Sequence, residues 1–124
     1  MLRWMNELLV ISNHPPEKWS DEQRARWDSI DYIPFPNVPA EIGMEEVIEL
    51  AIPIIGQIRE WKTTHSDGNV SIQGEFSLAS HLITTMEREY GWCLTFPTSE
   101  RRVVEEVKDG KTVKKSVYHF VRWR

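Results

Sequence analysis

The sequence predicts an α/β fold built on a small, mostly parallel sheet, and three observations carry that prediction. Short apolar runs alternate with helical patterns through most of the chain. Prolines and turn residues separate them. The C-terminal part then changes to two extended runs around one Asp-Gly turn. Strands that alternate with helices are joined by crossovers, which lay them parallel and put helices on the sheet faces.

Leu8–Ser12 is an apolar run of strand length, ended by Asn13-His14-Pro15-Pro16. Proline has no N–H for a ladder and restricts the residue before it. Ser20 followed by Gln23 has the spacing of a capping box and opens a helix predicted to reach about Trp27. A second strand is predicted over Ser29–Phe35, and the longest helix over Glu45–Lys62. Val47, Ile48, Leu50, Ala51, Ile54, Ile55, Ile58 and Trp61 give that helix a wide apolar face. Pro53 removes one internal hydrogen bond and is expected to kink or divide it.

Thr63–Asn69 reads as a polar loop in which His65 is solvated. Val70–Gln73 reads as a third strand, Gly74 as a corner, and the next stretch as a helix ending at Gly91. Trp92–Phe96 is the expected fourth strand, stopped by the turn Pro97-Thr98-Ser99-Glu100-Arg101-Arg102. Val103–Val107 and Val113–Trp123 then form a hairpin about Asp109-Gly110. The sum is a small Rossmann-like sheet with helices on both faces and an antiparallel edge at the C-terminus.

A chain of 124 residues is enough for one domain, expected over 1–124, with 40% hydrophobic and 27% charged residues. No apolar run approaches the length of a membrane span, and no signal-peptide pattern opens the chain. A cytoplasmic protein is expected. Cys93 is the only cysteine, which excludes an intrachain disulfide. The four histidines are far apart and make no metal-ligand pair, so neither a metal nor another cofactor is expected. His81 in a helix and His119 in a strand read as structural. A net charge of −4 argues against gripping long nucleic acid through many phosphates, but permits a local anion site. Residues 63–124 hold nine of the basic side chains, so such a site should draw its cations from there.

Right-handed crossovers would bring the ends of strands one, three and four to one rim. The corners there are Ser12-Asn13-His14, Gly74-Glu75-Phe76-Ser77 and Thr98-Ser99-Glu100-Arg101. Hydroxyls, an amide, an imidazole, helix-start N–H groups and guanidinium suit phosphate and ribose. Gly74 would let backbone approach a ligand. Each corner also has a plainer reading. Gly74 can be an ordinary strand-to-helix turn, His14 a turn residue, and Glu75 a helix-start carboxylate held by the dipole. Arg101 and Arg102 point to opposite faces, so one at most reaches a site. Neither the full dinucleotide glycine motif nor the P-loop is present.

In this order the corners resemble those of the small CRISPR-associated proteins that are similar to ring nucleases. The resemblance rests on Ser12-Asn13-His14-Pro15, Gly74-Glu75-Phe76-Ser77, Thr98-Ser99-Glu100-Arg101 and the closing Phe120-Val121-Arg122-Trp123. Ser99 stands where threonine is more usual. The resemblance implies a homodimer that binds a cyclic oligoadenylate across its axis. It implies metal-independent cleavage, with the ribose 2′-OH attacking the adjacent phosphate. His14, Ser12 and Arg101 would be catalytic. Asn13, Gly74, Glu75, Phe76, Ser77, Thr98, Ser99 and Glu100 would bind the ligand. A sensor that holds the same messenger without cutting it uses the same positioning residues.

Overall fold

The computed structural model describes residues 5–124. At its centre lies β1 (Glu7–Ser12), the most buried strand, with five of its six residues inaccessible to solvent. Parallel ladders join it to β2 (Ser29–Pro34) on one side and β3 (Asn69–Ile72) on the other, in the order β2-β1-β3. A strand flanked on both sides and covered on both faces must be apolar at every position, and Leu8-Leu9-Val10-Ile11 is.

Successive residues of β1 feed two separate cores. Leu9 and Ile11 join Val70 and Ile72 of β3 beneath α2 (Met44–Thr64) and α3 (Phe76–Tyr90). Leu8 and Val10 face the other way, onto Trp27 and Trp123 with Trp19, Tyr32 and Phe120 around them. On that second face lies α1 (Asp21–Arg24), whose Gln23 carbonyl accepts from Trp123 Nε1 at 2.8 Å. Helices therefore cover both faces. Right-handed crossovers require this split: the step from β1 to β2 runs one way along the sheet, the step from β2 to β3 the other.

Several boundaries differ from those expected. The Ser20 cap forms, with Gln23 N donating to Ser20 Oγ at 3.2 Å, but α1 closes after one turn rather than reaching Trp27. Trp27 turns into the second core instead. The long helix runs through Pro53 undivided. Pro53 is exposed, and burial of Ala51, Ile54, Ile55 and Ile58 holds the helix on both sides of it. His65 is not a solvated loop residue. It caps α2, stacks on Trp61 with ring centroids 4.3 Å apart, and sets Nε2 3.1 Å from Glu7 Oε2. Buried Lys62 closes the same helix end by donating to the carbonyls of Ser66 and Gly68, each at 2.9 Å.

The largest departure follows α3, which ends at Gly91 as expected (φ 67°). The expected fourth strand shrinks to one parallel bridge, Leu94 against Val70. Pro97 is not a stop. It opens β4 (Pro97–Lys108), which pairs with β5 (Lys111–Trp123) in a second, two-stranded sheet rather than as an edge of the first. Proline is acceptable as the first residue of a strand, where no ladder donor is required. The turn has Asp109 at φ 53° and Gly110 at φ 74°, the two positive values that the tightest hairpin turn demands.

Candidate functional site

The strand order defines one crevice. β1 and β3 are neighbours, yet the chain leaves β1 toward α1 on one face and leaves β3 toward α3 on the other. In an open α/β sheet such a reversal leaves a gap at the carboxyl ends of the strands, where ligands bind. Gln73 N donates to Ile11 O at 2.9 Å, so the two strand ends are laced together up to that rim. Asn13 and His14 leave from one side of it, Gly74, Glu75 and Phe76 from the other, and all five are exposed.

The loop after β1 is built by Ser12. Its hydroxyl oxygen accepts from His14 N at 3.0 Å, and its carbonyl accepts from Phe35 N at 3.0 Å and Tyr32 Oη at 2.7 Å. Ser12, which the resemblance makes catalytic, is thus a buried residue whose hydroxyl oxygen holds the His14 backbone.

The corner after β3 is likewise organised by protein groups. A Cβ placed on Gly74 would lie 2.5 Å from the Phe35 ring, so this glycine admits an aromatic side chain rather than a ligand. Glu75 caps α3: its carboxylate accepts from Ser77 N at 3.1 Å, from Leu78 N at 3.0 Å and from Ser77 Oγ at 2.7 Å. Those bonds, the Ser77 hydroxyl foremost, hold the Glu75 carboxyl below the usual carboxylate range. The expected anion cradle at Gly74–Ser77 is thus already filled by a charge of the chain itself. What the corner presents outward is a carboxylate and the Phe76 ring, 83% exposed.

Thr98, Ser99, Glu100 and Arg101 do not form a third rim corner, because they belong to β4. Thr98 Oγ1 donates to Arg122 O at 2.8 Å, Arg101 Nε donates to Ser116 Oγ at 3.0 Å, and Glu100 pairs with Arg102. Among the described residues no hydrogen bond or ion pair ties these four to either rim loop. Ser99 instead lines a cleft of about 610 Å³ between Lys18–Gln23 and Tyr118-His119-Phe120. His119 opens onto it and is exposed rather than packed. Phe35 and Tyr32 are the rim residues that sequence reasoning missed. The only cue was an aromatic residue between Pro34 and Pro36, where the chain leaves β2.

Strand order and crossovers together define a small doubly wound α/β protein in which the chain reverses direction between β1 and β3. A family model described as the uncharacterized protein MJ1673 family matches residues 6–124, and the chain belongs to that family. No curated protein and no solved structure matches it. Among the described residues no helix is long and apolar enough to cross a membrane.

Proposed function

We propose that this protein is a ring nuclease, taking a cyclic oligoadenylate at the β1–β3 rim and opening it without a metal. The observation that supports this is the adjacency of the His14 loop and the Glu75-Phe76 corner across one crevice. Phe76 offers a face on which a base stacks, and the Glu75 carboxylate is an acceptor for ribose hydroxyls. RNA carries its own nucleophile, so the protein needs chiefly to hold the 2′-oxygen in line with the neighbouring phosphorus. The 2′-O–P bond forms as the P–O5′ bond breaks. The 2′-OH proton passes to the His14 imidazole, and the departing 5′-oxygen takes a proton from water. Asn13 is the exposed amide beside His14 that can donate to a phosphate oxygen.

One observation favours a second reading, a sensor that binds the messenger intact. Glu75 already occupies the Ser77 and Leu78 N–H groups, and Arg101 is engaged on the hairpin, so fewer donors remain to stabilise the extra charge that cleavage develops on the phosphate. Incubation with cyclic tetra-adenylate in EDTA, followed by product separation, decides between them. Linear products support the nuclease, and intact ligand recovered in complex supports the sensor. Absence of binding to any cyclic oligoadenylate removes both. In the nuclease, His14→Ala should lower turnover by about two to four orders of magnitude with little change in binding. An unaltered rate takes His14 out of the mechanism.

A further inference from the structure

The hairpin formed by β4 and β5 is an arm without a body to rest on. Every residue from Ser99 to Ser116 is exposed. A two-stranded hairpin alone is marginally stable in water, and each of its outer edges presents unpaired backbone groups. Residues directly opposed in an antiparallel pair share a face. The register therefore puts Val104 beside Lys115, Val113 beside Glu106, Val117 beside Arg102, and Lys108 beside Lys111 on one side of the arm.

A complementary bare surface lies on α2. Met44, Ile48 and Ile52 recur every four residues, forming one stripe, and are 49%, 41% and 63% exposed. Glu45 and Glu49 border it. Residues 27–58 contain six acidic side chains and no Lys or Arg. Residues 97–123 contain seven Lys or Arg and four Asp or Glu. Against chain totals of fifteen and nineteen, the arm is net positive by three and the remainder net negative by seven.

We propose that the chain forms a two-fold dimer in which each copy lays its arm on α2 of the other. The Val104, Val113 and Val117 face meets the Met44, Ile48 and Ile52 stripe, with Lys111 and Lys115 against Glu45 and Glu49. Each copy carries both halves of this contact, so a two-fold closes both at once, whereas an unrelated partner would cover one and leave the other bare. The acidic remainder also opposes a nucleic acid along the arm. The two apolar patches match in length: Met44 to Ile52 rises roughly 12 Å along the helix, and Arg102 to Glu106, with Val104 between them, spans roughly 13 Å along the arm. The proposal concerns how two copies join and holds whatever ligand the rim takes.

Sedimentation of the 124-residue chain tests it. The expected result is a dimer at low salt that dissociates progressively as salt rises. Lys111→Glu with Lys115→Glu should raise the dimer Kd at least about a hundredfold, and so should Glu45→Lys with Glu49→Lys. Mixing these two charge-reversed proteins should restore a heterodimer. Lys114→Glu, on the other face of the arm, should have a much smaller effect. Circular dichroism confirms that each variant remains folded, as expected for exposed substitutions. A monomeric wild type, dimers indifferent to either reversal, or a mixture that fails to reassociate would each overturn the proposal.

Discussion

β1 and the β4–β5 arm use much the same residues to opposite ends. Both are rich in branched apolar side chains, yet nearly all of β1 is buried while Val107 in the arm is 79% exposed. Propensity explains why each is extended, since branched side chains fit a pleated surface. It does not explain where each is stable. β1 is held by two ladders and two cores. Beyond its foot, the arm has its single ladder and the turn. A strand's sequence reports its shape, and its neighbours determine its worth.

The sharpest way to break the comparison is at the foot of the arm. Trp123 is buried, packs on Trp19, Trp27 and Phe120, and joins β5 to the body. Trp123→Ala should cost about 3–5 kcal/mol in urea unfolding. An unchanged midpoint would mean that the arm is not anchored there. Gly74→Ala probes the opposite core, where the added methyl meets Phe35, and should cost about 1–3 kcal/mol. The same change in a Phe35→Ala background should cost clearly less. Equal costs would show that the ring is not what excludes a side chain.

Glu75→Gln probes the cap of α3, and pH gives the sign. The folded carboxyl titrates below its ordinary range. Its stabilisation is therefore complete above the unfolded value and is lost as pH falls through the folded one. The stability difference between wild type and Glu75→Gln should be widest at neutral pH and close on acidification. A gap that widens in acid would contradict the cap. The smallest effect is expected on the arm itself, where Val107→Ala should change monomer stability by no more than about 0.5 kcal/mol. A loss as large as for a core valine would mean that the arm is packed after all.

Much of the rim was legible from local chemistry. Asn13-His14 follows a strand because Pro15 and Pro16 cannot continue one, and Gly74-Glu75 opens a helix because a carboxylate suits its start. The misplaced Thr98–Arg101 shows the limit. Pro97 reads equally well as the end of one strand or the start of another, and only the partner strand chooses between them. Gly74 reads locally as a place for a ligand to come close, but what lies against it is Phe35, thirty-nine positions away in sequence.

The sequence by itself determined the alternation of strands and helices, the turn at Asp109-Gly110 and the uneven distribution of charge, because periodicity, φ preference and ionisation belong to neighbouring residues. Tertiary structure alone decided that three scattered tryptophans share a core, that Glu75 closes its own helix end, and that the last hairpin leaves the sheet. Each of those outcomes depends on which distant surfaces meet. That is set by the total area buried when the whole chain folds, a quantity no local stretch contains.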